Sequence, residues 1–123
     1  MKKQYTIDGR IIVQKETYAI LKSKKKISGA FATIDDGNEL TIVIEESKIR
    51  KEDYYKINKD WKIITFDFVL PFNVVGFLAK ISAVLAENGI SIFVISSYST
   101  DHILVKSKDL TKSLKILSDI TIK

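Results

Sequence analysis

No cysteine occurs among the 123 residues, and that absence removes disulfides, thiolate catalysis and zinc–thiolate sites from consideration. It agrees with a reducing compartment, so a cytoplasmic location is expected. Histidine occurs once, as His102, beside strand-forming residues. With no second histidine or cysteine at ligand spacing, no metal site is expected, and His102 reads as a half-buried strand residue. Long apolar runs are missing too. The oiliest stretch, Phe66 to Ala86, is broken by Asp67, Pro71, Asn73 and Lys80, whereas a spanning helix needs about 20 mostly apolar residues. No apolar segment follows Met1-Lys2-Lys3, so neither a membrane span nor a secretory signal is expected. The chain also lacks a glycine-rich P-loop, a Gly-x-Gly-x-x-Gly turn, a Gly-x-Ser-x-Gly elbow and a His-Glu-x-x-His helix. A carboxylate pair such as Asp35-Asp36 stands before Gly37-Asn38 and reads as turn chemistry. No catalytic activity and no cofactor are expected.

Arginine is scarce as well, confined to Arg10 and Arg50, although the net charge is +5. The positive charge is lysine, and lysine lacks the bidentate fork that reads base edges. The dense cluster Lys22-Ser23-Lys24-Lys25-Lys26 reads as a solvated connector. Nucleic acid is not an expected partner. With 46% hydrophobic and 28% charged residues, the chain can bury a core and has the length of one ordinary domain or two small lobes.

The first half is β-rich. Arg10 to Val13 and Tyr18 to Leu21 are short strand-forming runs. Ala30 to Ile34 and Glu39 to Glu45 flank Asp35-Asp36-Gly37-Asn38, whose Asp-Gly pair supplies the positive φ of a tight hairpin. Lys22 to Gly29 could hold at most a short helix, and Lys48 to Tyr55 reads as a turn or an edge element. A soft boundary falls near Asn58-Lys59-Asp60. Beyond it, Trp61 to Leu70 reads as a strand ended by Pro71, which has no N–H for the ladder. Asn73 is a good cap for a helix with Val74, Leu78, Ile81 and Leu85 on one face and Phe77 and Val84 beside them. Asn88-Gly89 stops it. Ile90 to Ile95, apolar at nearly every position, reads as a strand in the middle of a sheet. Ser96 to Asp101 turns the chain, His102 to Lys106 returns, and a helix follows from about Asp109 to Leu117. Asp119 to Ile122 is a candidate closing strand. The order β-α-β-β-α-β is the ferredoxin-like plan, an α+β fold with an antiparallel sheet and helices on one face.

This order resembles the ACT domain, a regulatory module of many amino-acid-metabolising proteins, and most closely the small bacterial proteins built of two ACT-like lobes, related to eukaryotic cytosolic arginine sensors. Gly76-Phe77-Leu78, Asn88-Gly89-Ile90-Ser91-Ile92-Phe93, Ile95-Ser96-Ser97-Tyr98 and Thr100 to Lys106 carry the likeness. Tyr18-Ala19-Ile20, Glu39 to Val43 and Trp61 echo it weakly. Pro71 stands where that branch often carries an acidic residue, and Asn73 to Val75 lacks the Asp-x-Pro-Gly pattern of other ACT domains. The resemblance implies two tandem lobes, residues 1–60 helix-poor and degenerate, residues 61–123 a fuller ACT domain.

A site follows from the helix start. The unpaired N–H groups of Val74, Val75, Gly76 and Phe77 would attract a carboxylate. In ACT domains the effector lies near this loop, usually between two ACT units, so Asn73 to Leu78 are the expected carboxylate end. Ile95, Ser96 and Ser97 are the expected opposite wall, with Asp101 for a cationic group. Blander roles stand beside these: close helix–sheet packing for Gly76, capping for Asn73, and turn formation for Ser96, Ser97 and Asp101. Phe66, Phe68, Phe72, Phe77 and Phe93 are expected in the core, with Trp61 and Tyr98 candidates for a pocket edge. The expected function is a non-catalytic sensor of a small molecule, an amino acid by resemblance, acting as a homodimer on a regulated protein partner. The alternative is a ligand-free scaffold that assembles through its sheet edge.

Overall fold

The computed structural model describes residues 4–7, 11–66 and 74–121. Along the chain run β1 (Gln4–Ile7), β2 (Ile11–Gln14), β3 (Tyr18–Ser23), β4 (Ala32–Asp35), β5 (Leu40–Glu45) and β6 (Tyr54–Phe66). Helix α1 (Val74–Glu87), β7 (Ile92–Ser96), β8 (Asp101–Lys106) and α2 (Leu110–Thr121) follow. The contacts divide the chain into two compact units, one made of residues 16–61 and one of residues 1–15 with 62–123. The boundary at 61/62 thus lies beside Trp61, and the first fifteen residues go with the C-terminal half. Pro71, Asn73, Phe68 and Phe72 lie outside the described residues.

In the unit of residues 16–61, Asp35 Oδ1 accepts the Gly37 N–H at 3.0 Å, and Asp36 Oδ1 accepts those of Asn38 and Glu39 at 2.9 and 2.8 Å. Gly37 has φ +87°, so β4 and β5 join in the expected hairpin. Beneath it Ala19, Leu21, Ile42 and Ile44 form the buried centre. Residues 22–29 form no helix: Lys22 and Ser23 finish β3, and the chain then turns. The open segment Lys48 to Tyr55 resolves into short 3₁₀ turns at Glu46–Lys48 and Lys51–Asp53, before β6 starts at Tyr54. Asn58-Lys59-Asp60 is not a break in the strand. Between the Tyr18–Trp61 and Ile20–Asn58 pairs β6 carries one extra residue, and Asp60 takes φ +67°, a bulge in a continuous strand. The Glu46 carboxylate accepts the Asp60 N–H at 2.7 Å.

The other unit is the ferredoxin-like α+β fold, with sheet order β1-β2-β6-β8-β7. The β1–β2, β2–β6 and β7–β8 pairs are antiparallel. Ile81 and Leu85 of α1 and Leu117 of α2 share a core with Ile11, Ile64, Phe66, Ile103 and Val105, so both helices lie on one face of the sheet. Phe77 meets Phe66 edge-on, ring centroids 5.1 Å apart. The stop of α1 is as expected: Gly89 has φ +73°, and the N–H groups of Gly89 and Ile90 return to the carbonyls of Ala86 and Leu85 at 3.0 and 2.9 Å.

Two expectations are corrected. Asp119 to Thr121 continue α2 rather than forming a closing strand, because amphipathic packing around Leu117 outweighs the strand propensity of the Ile-Thr sequence. The sheet position beside β6 is filled instead by β2, Ile11 facing Phe66 and Val13 facing Ile64. Ile90 to Ile95 is also not a central strand. Among the described residues β7 pairs with β8 alone, and Val94 is 44% exposed.

Gly89→Ala should lower stability by about 1 kcal/mol, the cost of a side chain at a left-handed stop. Ser113 Oγ is fully buried and without a hydrogen-bond partner. Ser113→Ala should therefore raise stability by about 1 kcal/mol by removing a desolvated hydroxyl. Urea denaturation of both variants reads the two signs.

Candidate functional site

Helix α1 begins at Val74, so the N–H groups of Val74, Val75 and Gly76 lie in its first turn, ahead of the first i→i−4 bond. Among the described residues, a Cβ built at Gly76 would meet no heavy atom within 4 Å. Close packing against a neighbour therefore does not account for this glycine, and the backbone of the first turn lies open on that side. Phe77 is turned inward onto Phe66, and Leu78 is half-buried.

The turn between β7 and β8 gathers the other expected residues. Ser97 N–H donates to the Thr100 carbonyl at 2.7 Å. Ser96 Oγ donates to Asp101 Oδ1 at 2.7 Å, and Ser97 Oγ lies 2.8 Å from His102 Nε2. Ile95 pairs with His102, as Ile92 does with Val105. Since Val105 faces the helices, the alternation of the strand puts Ile95 and His102 on the opposite face. Gly76 to Leu78 and Ile95 thus stand on different sides of one sheet. Ser96, Ser97 and Asp101 are brought together, but their described side-chain bonds join each other and His102.

Sequence reasoning missed the partners of His102. Its Nδ1 is 2.8 Å from Thr65 Oγ1 on β6, and the ring is 8% exposed. A hydroxyl gives or takes a proton, so both partners suit either tautomer. Burial lowers the His102 pKa below its ordinary value of 6.5, against an opposing pull from the Asp101 carboxylate. Nothing local in the sequence signals a bond across 37 positions. Trp61 is buried, its indole N–H donating to Asn58 Oδ1 at 3.1 Å, whereas Tyr98 stands fully exposed on the turn. Among the described residues no three His, Asp or Glu side chains gather as metal ligands, and no helix is long and apolar enough to cross a membrane.

A family model for the ACT domain matches residues 56–119. A structure from Agobacterium tumefaciens is similar at 27% identity and a TM-score of 0.71, over 85% of this chain and 82% of its own. A Vibrio cholerae protein of unknown function, described as a possible transport protein, matches at 26% identity and 0.72, over 86% and 84%. The ligand-free regulatory subunit of aspartate kinase from Thermus thermophilus shares the fold alone, at 10% identity and 0.65, over 89% and 95%. No curated protein matches the chain.

The His102 shift has a definite sign. The unfolded chain takes up a proton near pH 6.5 while the folded chain still refuses it, so stability is complete above that value and falls as the pH drops below it. Thermal unfolding between pH 8 and 5 should show this loss, and His102→Gln should flatten it.

Proposed function

The chain belongs to the ACT domain family, and from that premise we propose that it is a non-catalytic regulatory protein that binds a small molecule, an amino acid by the chemistry of its site. One observation carries this reading: the first turn of α1 is open at Gly76, where backbone N–H groups and the positive end of the helix dipole favour a carboxylate. Asn73 to Leu78 form the carboxylate end in this account. Asp101 takes a cationic group, its carboxylate having lone pairs beyond the one that Ser96 engages. Ile95, Ser96 and Ser97 serve a ligand held between two copies, because Ile95 does not share a face with α1 within one copy.

A homodimer follows from the same reasoning. Strand β7, Ile-Phe-Val-Ile-Ser, contains no charge and no proline, and its pairing with β8 runs without a bulge. It lacks three of the devices that keep sheet edges from pairing: charge, proline and a bulge. We place the regulatory output in a protein partner and the protein in the cytoplasm, and regard residues 16–61 as a degenerate, helix-poor ACT-like lobe. Strand β7, paired among the described residues with β8 alone, also favours a second reading, a scaffold that assembles without a ligand.

Thermal unfolding against each of the twenty amino acids separates the two. A responsive ligand should stabilise the protein by about 2.7 kcal/mol at a hundredfold excess over its Kd. Gly76→Phe should fold normally, given the open space, and lose the response. Silence across the whole panel from a folded sample would favour the scaffold.

A further inference from the structure

The unit of residues 16–61 carries a groove of about 280 Å³. Lys22 and Lys24 line it from β3 and the turn beyond, and Asp35 and Glu39 line it from the β4–β5 hairpin. Leu40 and the exposed ring of Tyr55 complete the lining used here. Both banks are fixed by side-chain hydrogen bonds to the backbone. Ser23 Oγ, with its single proton, lies 2.7 and 3.1 Å from the carbonyls of Lys25 and Asp53, and the Lys24 N–H donates to the Asp53 carbonyl at 2.9 Å. The opposite bank is held by the carboxylates of Asp35 and Asp36, which clamp the hairpin tip.

Opposite charges therefore line one groove without closing on each other. The described ion pairs of this unit run elsewhere, Lys25 to Asp53 at 3.4 Å and Lys48 to Glu45 at 4.0 Å. Lys24 instead lies 5.3 Å from the centroid of the Tyr55 ring. A simple anion would gain from the lysines but meet the acidic bank. A cation would meet the reverse. A molecule with a carboxylate at one end and an ammonium at the other satisfies both banks, and the volume matches a body of amino-acid size, just under the roughly 300 Å³ at which drug-sized pockets begin.

We propose that this groove is a second binding site, for a small zwitterion whose carboxylate meets Lys22 and Lys24 and whose ammonium meets Asp35 and Glu39. It is separate from the α1 site and does not depend on it. The test is amide chemical-shift mapping of the full chain with the twenty free amino acids, their N-acetyl and amide derivatives, and inorganic phosphate. The expected result is saturable movement of Lys22, Lys24, Asn38 and Tyr55 resonances with at least one free amino acid, lost when either end is blocked. A charge-assisted contact is worth about tenfold in affinity, so the Lys22→Ala/Lys24→Ala and Glu39→Gln variants should each weaken binding by about that factor. Their side chains are exposed, so folding should survive. In the Gly76→Phe background the groove shifts should persist, whereas failure of the α1 site would appear at Gly76 to Leu78 alone. No movement at the groove, equal movement with blocked derivatives, or movement with phosphate alone would overturn the proposal.

Discussion

The pairing of Ile11 to Val13 with Ile64 to Phe66 is the constraint on which the C-terminal unit depends. It sets Ile11 against Ile64 and Phe66 in the same buried cluster as Ile81, Leu85 and Leu117. The strand that completes this sheet comes from the front of the chain, so residues 16–61 form an insertion between the β1–β2 pair and the rest of its unit. Chain order and sheet order part company here, and α2 is released from supplying a final strand.

That arrangement shapes what the unit offers to a ligand. One face of the sheet is occupied by α1 and α2. The start of α1 remains accessible at Gly76, where unpaired N–H groups concentrate. The opposite face carries His102, tied at both ring nitrogens to hydroxyls, and that bond anchors the β7–β8 turn to a buried residue. The turn therefore holds Ser96 and Asp101 in a defined geometry, as a binding element requires.

Local chemistry was legible in the sequence; long-range pairing was not. Asp35 to Asn38 announced a hairpin, and Asn88-Gly89 a helix stop, because each motif fixes its own backbone. The apolar run from Ile90 to Ile95 established a strand but not its place, since periodicity does not say which neighbours lie alongside. Asn58 to Asp60 looked like a linker because a bulge and a loop draw on the same polar residues. The closing strand could not be found by inspecting residues 119–122, because the segment that fills its position lies more than a hundred residues earlier. Among the site residues, Gly76 and the Ser96–Asp101 turn were found from motif and resemblance. The placement of Ile95 on the face of the sheet away from α1 was not, since it depends on the register of β7 against β8. The charged groove escaped notice for the same reason: strand pairing brings Lys22 within reach of a hairpin formed well downstream of it.

Native-state hydrogen exchange of the full chain tests the central claim most directly, that the ACT unit is complete only with the strand from its N-terminal end. Amides of Ile11 to Val13 should exchange in the same slow, cooperative class as those of Ile64 to Phe66 and Ile103 to Val105. Exchange of Ile11 to Val13 at the rate of open chain, with the other two strands still protected, would contradict the account.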